Sequence, residues 1–207
     1  MKYLALLCLA GAALFIACSN PNRPVPSSQG DSLSNSNDSN TTKNSFFPVA
    51  DYLEAEILHV DSSLLALHQY TTRNGHTDSA FIQVPEFNRL ALQFVPRELA
   101  DSSFQKYFTE SSFADRATNS ITFTYSTTNK DLGLQRVDVM TVAGPRAQQV
   151  KSIYLEKSRI AGDSVILQKL FWQAQRSCEI ATLIRVKGAS VSEEQVRVVW
   201  DSAREEE

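Results

Sequence analysis

The chain has 207 residues, 43% of them hydrophobic, with 20 Lys and Arg against 23 Asp and Glu and a formal net charge of −3. This mild acidity argues against a nucleic-acid-binding protein and against electrostatic attachment to anionic lipid, since both need a basic surface. Beyond the first 45 residues, the remaining length suits a single domain with its own hydrophobic core.

The first 17 residues have the composition of a secretory signal peptide. Lys2 provides a positive start, and the stretch from Tyr3 to Ile16 carries no charge. At roughly 14 residues that stretch is too short for a membrane-spanning helix, which needs about 20. Residues 14–18, Leu-Phe-Ile-Ala-Cys, resemble the lipobox of bacterial lipoproteins. We therefore predict a lipoprotein signal peptide over 1–17, cleaved before Cys18; a plain signal peptide or an uncleaved anchor is the alternative.

The lipobox resemblance implies that Cys18 receives a diacylglyceryl group and usually an N-acyl chain such as palmitate. One acyl chain binds a membrane only marginally, at about 0.8 kcal/mol for each buried CH₂, so two or three chains make the attachment effectively permanent. Residues 19–23 contain no acidic residue. Among lipoproteins, that absence favours the outer membrane, with the domain facing the periplasm.

Residues 18–45 are expected to form a disordered tether behind the lipidated cysteine. The segment consists mainly of Ser, Asn, Asp, Thr and Pro, and Val25 and Leu33 are nearly its only apolar side chains. Such a composition buries too little apolar surface to offset the entropy of ordering. As a flexible coil it would span roughly 30 Å, which lets a folded domain stand off the membrane. The Ser and Thr residues would also permit O-glycosylation.

The three cysteines leave no pair for an intramolecular disulfide. Cys8 belongs to the predicted signal peptide and Cys18 is the predicted lipid acceptor, so Cys178 remains alone. It precedes a strand-like run, and we interpret it as a small buried hydrophobic residue.

Two or three helices are predicted at the start of the folded region. Val49, Leu53, Ile57 and Val60 recur at helical spacing and predict a helix over about 48–62. A second helix begins at Pro85-Glu86 and ends before Pro96, and residues 101–103 would cap a short third one. Between the first two helices, Asn74-Gly75 predicts a type I′ hairpin within 70–82, although a helical second arm is an alternative.

After Ala117 the pattern changes to alternating strands. Ile121, Phe123 and Tyr125 alternate with Thr, and further apolar alternation predicts strands near 137–139, 153–155, 165–172, 180–186 and 196–200. Short glycine turns between them favour an antiparallel meander. We predict an α+β domain over 46–201, with two or three N-terminal helices packed on one face of a five- to six-stranded sheet, followed by an acidic tail over 202–207.

Several short motifs in the folded region resemble a group of uncharacterised lipoproteins from Bacteroidota. They are Phe46-Phe47-Pro48-Val49 with Tyr52, Tyr70-Thr71-Thr72 with Asn74-Gly75 and Thr77-Asp78, Phe108-Thr109-Glu110-Ser111, and Phe123-Thr124-Tyr125. The resemblance covers most of the folded region and implies a lipobox signal plus one α+β periplasmic domain. It implies no known activity. The hairpin over 137–155 also looks slightly like those of PepSY-type periplasmic modules, but its turn sequence differs from theirs.

No motif for catalysis, cofactor binding or metal binding is found. The histidines have neither HExxH nor HxH spacing; they are His59, His68 and His76. A nucleophile elbow and a phosphate-binding glycine loop are also absent from the sequence. The acidic residues of the first predicted helix, Asp51, Glu54 and Glu56, are interpreted as a solvated helix face. We therefore expect no enzyme, no cofactor and no metal site.

The remaining candidates for binding are aromatic side chains on the late strands. If Tyr154 and Trp172 lie exposed on the uncovered sheet face, that face becomes a binding surface. We favour a lipid-anchored binding or interaction protein of the envelope, whose partners are the membrane, through Cys18, and a protein or other envelope component. The alternatives are a carrier of lipid or small molecules with an internal cavity, and an envelope hydrolase with an unrecognised site.

Overall fold

The computed structural model describes residues 46–145 and 147–200. The predicted signal peptide, Cys18, the tether and the acidic tail lie outside these residues. Within them, no helix is long and apolar enough to cross a membrane.

Four short α-helices precede most of the sheet: α1 Val49–Ser62, α2 Val84–Ala91, α3 Arg97–Ala100 and α4 Ser102–Gln105, with a 3₁₀ turn at Leu92–Phe94. The predicted first helix is confirmed, and its apolar stripe, including Leu53 and Ile57, is buried. The predicted cap of the last helix is also confirmed, since the Asp101 carboxylate accepts a hydrogen bond from the Ser103 amide at 2.8 Å.

Nine strands form one antiparallel sheet: β1 Leu67–Arg73, β2 His76–Ile82, β3 Thr109–Asp115, β4 Ser120–Ser126, β5 Leu134–Ala143, β6 Gln148–Ala161, β7 Ser164–Gln173, β8 Ser177–Val186 and β9 Ser192–Val199. Their order is β2-β1-β9-β8-β7-β6-β5-β4-β3. From β3 to β9 the sheet is a meander, and the β1–β2 hairpin joins it by pairing β1 with β9. The two edge strands are β2 and β3.

The predicted fold class is wrong. The domain is a β-rich fold with nine strands and about 21% helix, rather than helices on a five- to six-stranded sheet. Strand β3 was missed because it lies at an edge and nearly all its side chains are exposed, so its sequence lacks the apolar alternation of a half-buried strand. The predicted hairpin at Asn74-Gly75 is confirmed with two strand arms, and it extends the sheet because β1 pairs with β9.

The hairpin turn depends on a glycine at positive φ. Gly75 has φ of +79°, and no neighbouring atom would contact an added Cβ. We predict that Gly75→Ala lowers the free energy of unfolding by about 1 kcal/mol, because an L-residue is strained in that region. Gly133→Ala is the matched control, since Gly133 has no positive φ and an added Cβ would meet only Glu98 Oε1, at an ordinary contact distance of 3.8 Å. Urea unfolding checks both, and equal effects would contradict the turn assignment.

The helices and one face of the sheet share a single hydrophobic core, and we call this side of the sheet the helix-covered face. Its centre holds four aromatic rings from Phe87, Phe94, Trp172 and Trp200. The Phe94 and Trp172 rings meet edge to face at 5.2 Å, and the Trp172 and Trp200 rings lie 5.2 Å apart. These rings fill the middle of the helix–sheet interface. The opposite side, the open face, carries no helix of the described chain.

Candidate binding surfaces

The two side chains singled out from the sequence lie on opposite faces of the sheet. Trp172 is fully buried in the core, whereas Tyr154 is half-buried on the open face. The residue paired directly with Tyr154 is Phe171, which is 42% exposed. Successive strand residues point to opposite sides, and the apolar run 170–172 does not reveal which of them faces the core. On the open face, the exposed aromatic side chain beside Tyr154 is therefore Phe171 and not Trp172.

A continuous row of paired residues crosses six strands of the open face. In order, the open-face row consists of Tyr70, Arg197, Glu179, Phe171, Tyr154 and Asp138. Neighbouring strands lie about 4.8 Å apart, so the row is about 24 Å long. Three aromatic rings and three charged side chains of both signs share the row, which gives a mixed surface without a dominant charge.

One end of the row continues into an aromatic cluster at the edge of the sheet. The His68 ring stacks on Phe81 at 4.7 Å and contacts Tyr70 at 4.5 Å. The Tyr70 hydroxyl and His68 Nδ1 are 2.9 Å apart and share a hydrogen bond. Phe81 is 73% exposed. A shallow depression of about 410 Å³ lies beside this cluster, lined by Tyr70, Thr72, Thr77, Glu179, Gln195 and Arg197.

The other end of the row is held by polar contacts. Arg136 forms a salt bridge with Asp138 at 2.9 Å, and the Thr124 hydroxyl donates to the same carboxylate at 2.7 Å. The Tyr154 hydroxyl donates to Glu156 at 2.8 Å. Burial and the neighbouring Glu156 raise the pKa of Tyr154. These contacts fix the orientation of the side chains, including the ring of Tyr154.

A separate groove of about 640 Å³ lies at one end of the sheet. We call it the rim groove, and its lining comes from the start of α1, the β5–β6 hairpin and the β7–β8 turn. Glu56 of α1 crosses to that turn and accepts hydrogen bonds from the Gln175 amide at 3.0 Å and from Trp172 Nε1 at 3.4 Å. The interpretation of Glu56 as a solvated helix residue is therefore wrong, because it is half-buried and joins α1 to the sheet.

The contact between Tyr52 and Glu56 can be tested by its pH dependence. Burial, followed by the charge of Glu56 and a hydrogen bond to it, raises the pKa of Tyr52 above the ordinary value of 10.0. The protonated phenol therefore contributes stability that is fully present below pH 10.0 and is lost as the pH rises through the folded-state pKa. We predict that Tyr52→Phe reduces the loss of stability above this pH. Urea unfolding on both sides of pH 10.0 checks it; an unchanged alkaline slope would contradict the coupling.

The three histidines lie at separate places in the described part of the chain. His59 lies in the last turn of α1, His68 is on the open face, and His76 is at the start of β2. No group of three or more potential metal ligands occurs among residues 46–145 and 147–200. The interpretation of Cys178 as a small buried residue is confirmed, and burial raises its pKa to about 12, which disfavours the reactive thiolate.

Comparison with known proteins adds no identification. The chain matches no protein-family model, no curated protein and no solved structure. The candidate surfaces therefore rest on the geometry of this domain.

Proposed function

We propose that this chain is a lipid-anchored binding protein of the bacterial cell envelope rather than an enzyme. In this proposal, Cys18 holds it in the outer membrane, the tether spaces the domain from the bilayer, and the open face binds a partner protein in the periplasm. The lipobox-like residues 14–18 support the anchor. The exposed aromatic rings of the open face support the binding role.

The pairing of Phe171 with Tyr154 on an uncovered sheet face is the observation that carries the binding role. Exposed aromatic side chains flanked by polar groups are typical of the centres of protein interfaces. The row is about 24 Å long, which suits a protein surface better than a small ligand. The partner we expect has an apolar patch for Phe171 and polar groups around it.

The packed core weighs against the carrier alternative. A carrier needs room between the helices and the sheet, and the rings of Phe87, Phe94 and Trp172 occupy the centre of that interface. The separated positions of the three histidines likewise give the hydrolase alternative little support.

Replacement of the cysteines tests the anchor. We predict that wild-type protein takes up an alkyne-labelled palmitate in growing cells, because the lipobox directs acylation of Cys18, and that Cys18→Ser abolishes this labelling. Cys8→Ser is the matched control and should keep the label, as should Cys178→Ser. Labelling that persists in Cys18→Ser, or fails in the wild type, would contradict the anchor.

Substitution on the open face tests the binding role. We predict that the double variant Tyr154→Ser, Phe171→Ser recovers at least tenfold less partner from solubilised envelopes than the wild type, since two central aromatic contacts are lost. Leu58→Ser is the control, because Leu58 is 64% exposed on α1, away from the open face. Quantitative mass spectrometry of the captured material provides the measurement. Equal recovery by the double variant and the wild type would refute the open face as the surface.

A further inference from the structure

The rim groove has a floor fixed by contacts from three elements. The Glu56 carboxylate accepts hydrogen bonds from the Gln175 backbone N–H in the β7–β8 turn, from Trp172 Nε1 in β7 and from the Tyr52 hydroxyl in its own helix. Gln175 has φ of +61°, a conformation that a non-glycine residue adopts at some cost. The backbone N–H of Gln175 nevertheless donates to the Glu56 carboxylate, and this hydrogen bond joins the β7–β8 turn to α1. A groove fixed in this way binds with little loss of conformational freedom.

The rim groove lies where β6 extends past the last residue of β7. Ser152 pairs with Gln173, and the Lys151 carbonyl accepts from the Ala174 amide, so only residues 148–150 of β6 extend past its neighbour. Three residues are too few for a peptide to add as a strand, because strands usually have about five or six. Recognition in this groove therefore depends on side chains.

The side chains that line the groove are rich in carboxamides. Of the lining residues, Gln149, Gln175 and Lys151 form no side-chain hydrogen bond within the described chain. Gln148 and Gln173 each use their carbonyl oxygen, to accept from Thr141 and Ser177, and this leaves their NH₂ groups as donors. Four glutamines and one lysine thus line the same groove, whose volume is within the size range of ligand sites.

The other wall of the groove is aromatic. The half-buried rings of Phe47 and Tyr52 lie 6.2 Å apart and border the groove at the start of α1. A sugar ring carries C–H groups on its faces, which pack on aromatic rings, and hydroxyls around its edge. Each hydroxyl is both a donor and an acceptor, as a carboxamide is. The Lys151 ammonium adds a partner for a carboxylate.

We propose that the rim groove binds a segment of an acidic glycan. The aromatic wall packs against a sugar face, the carboxamides of Gln149 and Gln175 pair with its hydroxyls, and Lys151 binds a carboxylate of the chain. The rim groove and the open-face row share no residue. If one of these two surfaces fails to bind its expected partner, the proposal for the other surface therefore still stands.

Two oligosaccharides test this site on the full chain in mild detergent. Hyaluronan oligosaccharide carries a carboxylate on alternate sugars, and chitin oligosaccharide of the same length is neutral. We expect both to bind by isothermal titration calorimetry, hyaluronan more tightly. Lys151→Gln should weaken hyaluronan binding about five- to tenfold and leave chitin unchanged, since only one charge-assisted contact is lost. Lys169→Gln is the matched control, because Lys169 is exposed on the open face of β7.

A second variant tests the carboxamides. Gln149→Ala combined with Gln175→Gly should weaken both oligosaccharides at least tenfold, and glycine suits the positive φ at residue 175. Its thermal unfolding should match that of the wild type. The proposal is overturned if neither oligosaccharide binds, if the groove variants bind as the wild type does, or if Lys169→Gln weakens hyaluronan binding as much as Lys151→Gln.

Discussion

Replacing Trp172 with Ala is expected to lower the free energy of unfolding by about 3–5 kcal/mol, the largest of the stability losses predicted for this domain. The side chain is fully buried. Its ring contacts Phe87, Phe94 and Trp200, so truncation leaves a cavity among three aromatic rings that cannot all close in on it. Urea unfolding followed by circular dichroism measures the change. Such a loss is a large part of the stability of a typical domain.

Phe171→Ala is the matched control for this prediction. Phe171 precedes Trp172 in the same strand but lies on the open face and is 42% exposed. We expect a loss of no more than about 1 kcal/mol, because little buried surface and no enclosed cavity are involved. Similar losses for both substitutions would show that the two faces of β7 are wrongly assigned.

Replacing Glu56 with Ala is expected to lower the free energy of unfolding by about 2–3 kcal/mol, the second-largest of the losses predicted here. The carboxylate accepts from the Trp172 indole, the Gln175 amide and the Tyr52 hydroxyl, and its removal leaves the indole N–H of a buried residue without its acceptor. Urea unfolding again provides the measurement.

Glu54→Ala controls for the general loss of a charge from α1. Glu54 is exposed on the same helix, and we expect a change within about 0.5 kcal/mol. The stability loss for Glu56→Gln should fall between those for Glu56→Ala and Glu54→Ala, since the carboxamide keeps one acceptor oxygen. If Glu56→Ala proves as mild as Glu54→Ala, the carboxylate does not join the helix to the β7–β8 turn.

The parts of the fold that the sequence predicted are those with strong local signals. The stripe through Leu53 and Ile57 predicted α1, because a helix on a core must bury residues at that spacing. Asn74-Gly75 predicted the hairpin, because a type I′ turn requires positive φ at both central residues and these residue types tolerate it. Both residues have positive φ in the structure. The alternation around Phe123 likewise predicted β4.

The parts that could not be predicted depend on distant partners. Strand β3 is paired on one side only, and its exposed side chains carry no periodic signal. In β7, the face of Trp172 is set by helices that lie far away in the sequence. Glu56 binds groups more than 100 residues away, so its burial could not be inferred from α1 alone. The spacing of Tyr52 and Glu56, one helical turn apart, was the single local hint of their contact.

Site-specific photocrosslinking in intact cells tests the binding role of the open face most directly. A photoreactive amino acid at position 171 lies in the centre of the open-face row, and one at position 58 lies on the exposed side of α1. We predict a discrete crosslinked protein from position 171 and none of that mass from position 58. No adduct at position 171, or the same adducts from both positions, would contradict the proposal that the open face binds a partner.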